Sequence, residues 1–198
     1  STDLKITGAL DFADDATGVT GAIDGTVDAS EFTGKLTITS AADEVSITGG
    51  SGNDTFNMAA TFNGYDKIDG GDGTDTLTMN AAALSTQFAQ TSNIENVTFN
   101  ESNASTAVDM SKLPAGVEKF TADMADANDG SAKIALTVTK ADGKLINVVR
   151  SSADTGADAG DDDGVTMAVT DTVDTTDDTL NLMLTDIGLQ TDLGGLDS

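Results

Sequence analysis

Polar and apolar residues alternate in short bursts along this chain, and Gly, Asn, Asp or Ser separates one burst from the next. KLTIT at 35–39 sets Leu36 and Ile38 between polar neighbours, and VSIT follows at 45–48. DTFNM at 54–58, DKI at 66–68, DTLTM at 75–79 and NIENVTF at 93–99 continue the series. The second half holds VEKFTA at 117–122, AKIALTVT at 132–139, KLINVV at 144–149, VTMAVT at 165–170 and TLNLMLT at 179–185. Alternation is cleanest in AKIALTVT (Ile134, Leu136, Val138) and TLNLMLT (Leu180, Leu182, Leu184). The pattern predicts an all-β chain of many short strands. AAALSTQFAQ at 81–90 has helical composition but is short, and predicts a helical turn or cap only.

A longer repeat overlies the strands. TVDASEFTGKLTIT at 26–39 and AVDMSKLPAGVEKFTA at 107–122 both read Val-Asp-x-Ser, a large apolar residue, Gly, then an alternating strand. We read two copies of one unit, with a boundary in the polar stretch at 100–106. The expected domains are therefore 1–100 and a second β-rich unit, 101–198.

Two glycine-rich runs punctuate the first copy. Gly49-Gly50-Ser51-Gly52-Asn53-Asp54-Thr55-Phe56-Asn57 and Gly70-Gly71-Asp72-Gly73-Thr74-Asp75-Thr76-Leu77-Thr78 both fit the Gly-Gly-x-Gly-x-Asp-x-apolar-x nonapeptide of calcium-binding β-helices. Glycine permits a tight turn whose carbonyls point inward. Calcium is hard and takes six to eight oxygens, so carbonyls can supply neutral ligands while the Asp adds charge. The expected ligands are Asp54 and Asp75, with carbonyls of Gly49, Ser51, Gly52, Gly70, Asp72 and Gly73. Phe56 and Leu77 are expected in the core.

Two nonapeptides make one coil of 18 residues, whereas the two runs lie 21 apart. Setting MAA at 58–60 aside as a three-residue insertion leaves TFNGYDKID at 61–69, with Gly64, Asp66 and Ile68 where a half-coil needs them. The runs are then expected to stack and share one calcium, with Asp66 on the opposite edge serving a weaker site. The competing reading is a pair of Gly-rich hairpin turns, which would need no second matching run.

Composition narrows the function. The chain has 198 residues, 34 acidic against nine basic, and a formal charge of −25. Phosphate contacts need clustered Lys and Arg, so nucleic acid is a poor partner, as is an anionic membrane. Self-repulsion on this scale opposes a compact state unless cations neutralise it. With seven Phe, one Tyr and no Trp, the core must be thin, as in stacked strands. No Cys and no His are present, which excludes disulfides, thiol chemistry and Ser-His-Asp catalysis. No apolar run is long enough to span a membrane. No signal peptide is visible and the chain starts at Ser, which we read as a mature or trimmed piece of something longer. The acidic stretch 151–164 reads as a solvated loop, with a cation site at Asp161, Asp162 and Asp163 as the second reading. Arg150, the single Arg, reads as a surface salt-bridging residue.

Residues 26–100 resemble the RTX region of Gram-negative surface-layer proteins, and 101–198 resemble it in style only. Longer uninterrupted arrays mark RTX toxins and proteases, so the likeness is to the sparse surface-layer variety. The resemblance implies a parallel β-roll or β-helix solenoid continuing into further short-stranded β layers. It also implies type I secretion, folding on extracellular calcium and self-association into a coat at the cell surface. Cell-surface polysaccharide is a further expected partner. No enzyme activity is expected. The alternatives are a segment of a large RTX adhesin and the calcium-binding tail of a secreted hydrolase.

Overall fold

Period-two alternation sends every second side chain to one face of a strand, and here those side chains are mostly Val, Ile, Leu, Phe and Met. Such a chain must bury one face of each strand against another sheet. The computed structural model describes residues 4–8, 19–20, 25–40, 44–58, 62–80, 87–100, 106–123, 134–139, 144–149, 165–170 and 181–185. Arg150, Asp161, Asp162 and Asp163 lie outside the described residues, as do 101–105 of the expected boundary.

The strands are β1 (Leu4–Gly8), β2 (Val19–Thr20), β3 (Thr26–Phe32), β4 (Thr37–Thr39), β5 (Ser46–Thr48), β6 (Thr55–Asn57), β7 (Lys67–Asp69) and β8 (Thr76–Asn80). They continue as β9 (Thr91–Ser92), β10 (Asn96–Asn100), β11 (Thr106–Asp109), β12 (Lys119–Asp123), β13 (Ile134–Thr139), β14 (Leu145–Val149), β15 (Val165–Thr170) and β16 (Asn181–Thr185). Short 3-10 turns occupy Gln87–Gln90 and Met110–Lys112. The first falls in the stretch expected to hold a helical turn, of which 81–86 lie outside the described residues.

Consecutive strands do not pair. Odd strands pair with odd and even with even, always in parallel, so the chain shuttles between two sheets as a β-solenoid. The even strands form one eight-stranded sheet from β2 to β16. The odd strands form a five-stranded sheet, β1 to β9, and a three-stranded sheet, β11 to β15. β10 pairs with β12, so the even sheet runs through the point where the odd side changes sheet.

Registers stack like residues. Ile38 lies beside Phe56, Phe56 beside Leu77, Leu77 beside Val97 and Val97 beside Phe120. All five are buried, as are Val27, Ile47 and Ile68 of the odd sheet. Fully burying one such side chain contributes roughly 1.5–3 kcal/mol. Phe99 packs edge-on to Phe120 at 5.0 Å, and Phe62 lies 5.5 Å from Phe88. The two copies of Val-Asp-x-Ser fold alike. Ser30 donates its N–H (3.1 Å) and hydroxyl (2.6 Å) to Asp28, and Ser111 does the same to Asp109 at 3.0 and 2.6 Å. Among the described residues no helix is long and apolar enough to cross a membrane.

Candidate metal centre

At one corner the chain passes from an odd strand to an even one, and the connections 33–36, 49–54, 70–75 and 93–95 stack there. Gly49 N donates to Asp69 O (2.7 Å), Asp72 N to Gly50 O (2.9 Å) and Gly70 N to Ser92 O (3.1 Å). The two glycine-rich runs are thus neighbours in the stack. Their approach leaves no room for a side chain. A Cβ on Gly49 would lie 2.2 Å from Gly70 O, and one on Gly70 would lie 1.9 Å from Asn93 O.

Asp54 and Asp75 are buried at this corner, 1% and 0% exposed. A buried carboxylate needs donors, and the coil stacking supplies them. Leu36 N donates to Asp54 Oδ1 (2.9 Å), 18 residues away. Asp54 N donates to Asp75 Oδ1 (2.7 Å) at a separation of 21, and Asp75 N to Glu95 Oε2 (2.7 Å) at 20. Each acid therefore holds the N–H of the residue at its own place one coil earlier. The steps of 18 and 21 agree with an 18-residue coil plus an insertion. The extra residues fall in the β6–β7 connection, where Met58 is buried and 59–61 lie outside the described residues.

Asp66 performs the same task at the opposite corner. Its Oδ1 accepts from Val45 N (3.0 Å) and its Oδ2 from Asn63 N (2.7 Å). Phe56, Leu77 and Ile68 point into the core. Ser51, Asp72 and Gly73 are exposed, while Gly49 and Gly70 are buried.

The two runs differ in how the Asp is closed off. Asp54 Oδ2 accepts from Gly50 N (2.9 Å), so both of its oxygens are used. The corresponding Gly71 has φ +92° and gives its N–H to Asp69 Oδ1 (3.3 Å) instead. Asp69 Oδ1 also accepts from Asn93 Nδ2 (2.7 Å), and Asn93 is left-handed at φ 52°. Asp75 Oδ2 is left buried without a hydrogen-bond partner. It lies 2.6 Å from the point where a Gly70 Cβ would sit, the same point that lies 1.9 Å from Asn93 O. The open oxygen thus shares Gly70's empty side with a backbone carbonyl of the next turn.

Electrostatics follow the geometry. Burial pushes the Asp54 carboxyl above 3.8, against the pull of the Gly50 and Leu36 N–H groups. Burial pushes Asp75 up to about 7; its bond from Asp54 N opposes the rise, and the charges of Asp54, Glu95 and Asp69 add to it. Among the described residues no three acidic side chains converge into a cage. An ion here would take much of its shell from carbonyls.

Sequence reasoning missed Glu95, Asn93 and Asp69. The signal was present: an acid directly precedes β6, β7, β8 and β10, as Asp54, Asp66, Asp75 and Glu95. No protein-family model, curated protein or solved structure matches this chain.

Proposed function

We propose that this chain is a structural protein of the bacterial cell surface, a calcium-dependent subunit of a surface layer or extracellular matrix with no catalytic site. Calcium drives its folding and then its assembly. The observation that carries this reading is the orphaned Asp75 Oδ2, a fully buried carboxylate oxygen beside the Asn93 carbonyl in a chain of charge −25. A buried oxygen without a donor is costly, and a hard dication is the partner that suits carboxylate and carbonyl together. Asp75 would hold the ion with the Asn93 carbonyl, and Asp69 and Glu95 would add charge nearby, while the Gly70 carbonyl lies on the side of Gly49 and Asp54. The turn 49–54 would complete the site through the stacking of Gly49 on Gly70. The nonapeptide pattern and its resemblance to secreted RTX surface-layer proteins support the same reading.

Because the ion binds the folded chain, its affinity becomes folding free energy. Millimolar calcium added to chelator-treated protein is expected to raise the β-type circular dichroism sharply. Identical spectra with and without calcium would overturn the reading.

A further inference from the structure

The two sides of the solenoid differ in charge. On the odd side, outward positions carry Lys5 of β1, Asp28 and Glu31 of β3, and Lys67 and Asp69 of β7, with Lys5 paired to Glu31 at 3.2 Å. On the even side, every outward position of β4, β6, β8 and β10 is Thr or Asn. Registers align them into columns, one of which runs Thr39, Asn57, Thr78, Thr98. The next strand, β12, breaks the neutrality with one charge of each sign, Lys119 at its start and Asp123 at its end, both half-buried.

We propose that this Thr/Asn face docks against the same face of a second copy of the chain. This rests on the self-association in the function proposed above and names the surface that performs it. At a charge of −25 two copies repel, and contact costs least where neither surface carries net charge. A two-fold axis parallel to the sheet, perpendicular to the strands and midway between the two faces, lays β12 on β12 in opposite directions. Lys119 of each copy then faces Asp123 of the other, the self-complementarity that a two-fold contact requires. Asp123 can accept this donor in addition to others, because a carboxylate has several lone pairs. Outward Thr and Asn present hydroxyls, amides and methyls, which pair across an interface without stranding a charge.

Strands about 4.8 Å apart and about 3.3 Å of rise per residue give β4 to β12 a face of roughly 300 Å². A stable interface buries about 800 Å² per partner. The contact is therefore weak as an isolated pair and effective where other contacts hold the copies side by side.

Sedimentation of the full chain against concentration in calcium tests this, with a second series in which about 0.5 M NaCl is added to screen charge repulsion. Lys119→Asp and Asp123→Lys are each expected to weaken association at least about tenfold. The double swap is expected to restore it. Thr78→Asp should weaken it, and Thr48→Asp on the odd side, with the same change in net charge, should not. Circular dichroism on each variant confirms the fold. A wild type that stays monomeric in both conditions up to about 1 mM, where even a weak pair shows, overturns the proposal, and so does a double swap no better than the singles. Failure of the calcium reading looks different: the fold and the association would be the same in chelator as in calcium.

Discussion

The turns at 49–54 and 70–75 obey one nine-residue template, yet one is closed and the other is open. Asp54 receives an N–H on each oxygen, whereas Asp75 receives one on Oδ1 and none on Oδ2. The difference originates one residue before the template, with Thr48 ahead of the first turn and Asp69 ahead of the second. Asp69 offers a carboxylate that captures Gly71 N and the Asn93 amide. Gly71 swings to positive φ, which glycine adopts at no steric cost, and its N–H is lost to Asp75. A motif thus sets the shape of a turn, while its neighbour decides whether the buried acid inside is satisfied.

The largest effect is expected from filling the contact between the open turn and the turn that follows it. Gly70→Ala puts a methyl 1.9 Å from Asn93 O and 2.6 Å from Asp75 Oδ2, so backbone must move. A loss of about 3 kcal/mol or more is expected, read as a fall in the denaturation midpoint. Gly116→Ala is the control, because its nearest neighbour would be Ile94 O at 3.4 Å. A loss below about 1 kcal/mol is expected there. Equal losses would show that the corner yields more easily than its packing implies.

Next in size is an opposition of signs between the two acids. Asp54→Asn replaces an acceptor that holds two N–H groups with an amide that can hold only one of them well. In chelator it should cost about 1–3 kcal/mol. Asp75→Asn keeps an oxygen for Asp54 N and removes a buried charge that lacks a partner. In chelator it should stabilise the fold, and in calcium it should bind less ion by calorimetry. Destabilisation by both variants in chelator would mean that the open oxygen has a partner in solution.

The extended pairing of these strands was legible from alternation alone. Ile38, Phe56 and Leu77 alternate with Thr, and all three are buried in register. The stacking of the two runs was legible from their spacing of 21. The two-residue strands β2 and β9 were not, because so short a segment carries no period. Glu95 was missed because its turn has none of the glycines that advertise the other two. The hydrogen-bond ladder of acids was missed for a different reason. It joins residues 18 to 21 apart, and local chemistry does not reveal whether a carboxylate faces a cation or an N–H.

The smallest effect should come from converting the open turn into the closed one. Asp69→Thr removes the acceptor that captures Gly71 N, freeing it for Asp75 Oδ2. The Asp75 carboxyl should then titrate well below the value of about 7 that burial and its acidic neighbours give it now. The consequence for stability has a definite sign. A folded value raised above 3.8 means that the folded state holds the proton more tightly. In chelator, stability from Asp75 is present below about pH 3.8 and declines as pH rises toward 7. If calcium binds Asp75 as proposed, the decline should vanish or reverse in its presence. Carboxyl NMR with thermal melts at several pH values would report both. An unchanged titration in Asp69→Thr would place the cause elsewhere.

Gly49 and Gly70 meet so closely that their corner has a fixed length over two coils, while the three residues by which one coil exceeds its neighbour sit at the far corner, between β6 and β7. Between these two coils the room for new sequence is therefore one-sided. New sequence can enter between Met58 and Phe62 without altering any contact of the glycine column, whereas a residue added beside Gly49 or Gly70 would break the close backbone contact between the two runs. The same asymmetry makes the far corner the place to graft a peptide.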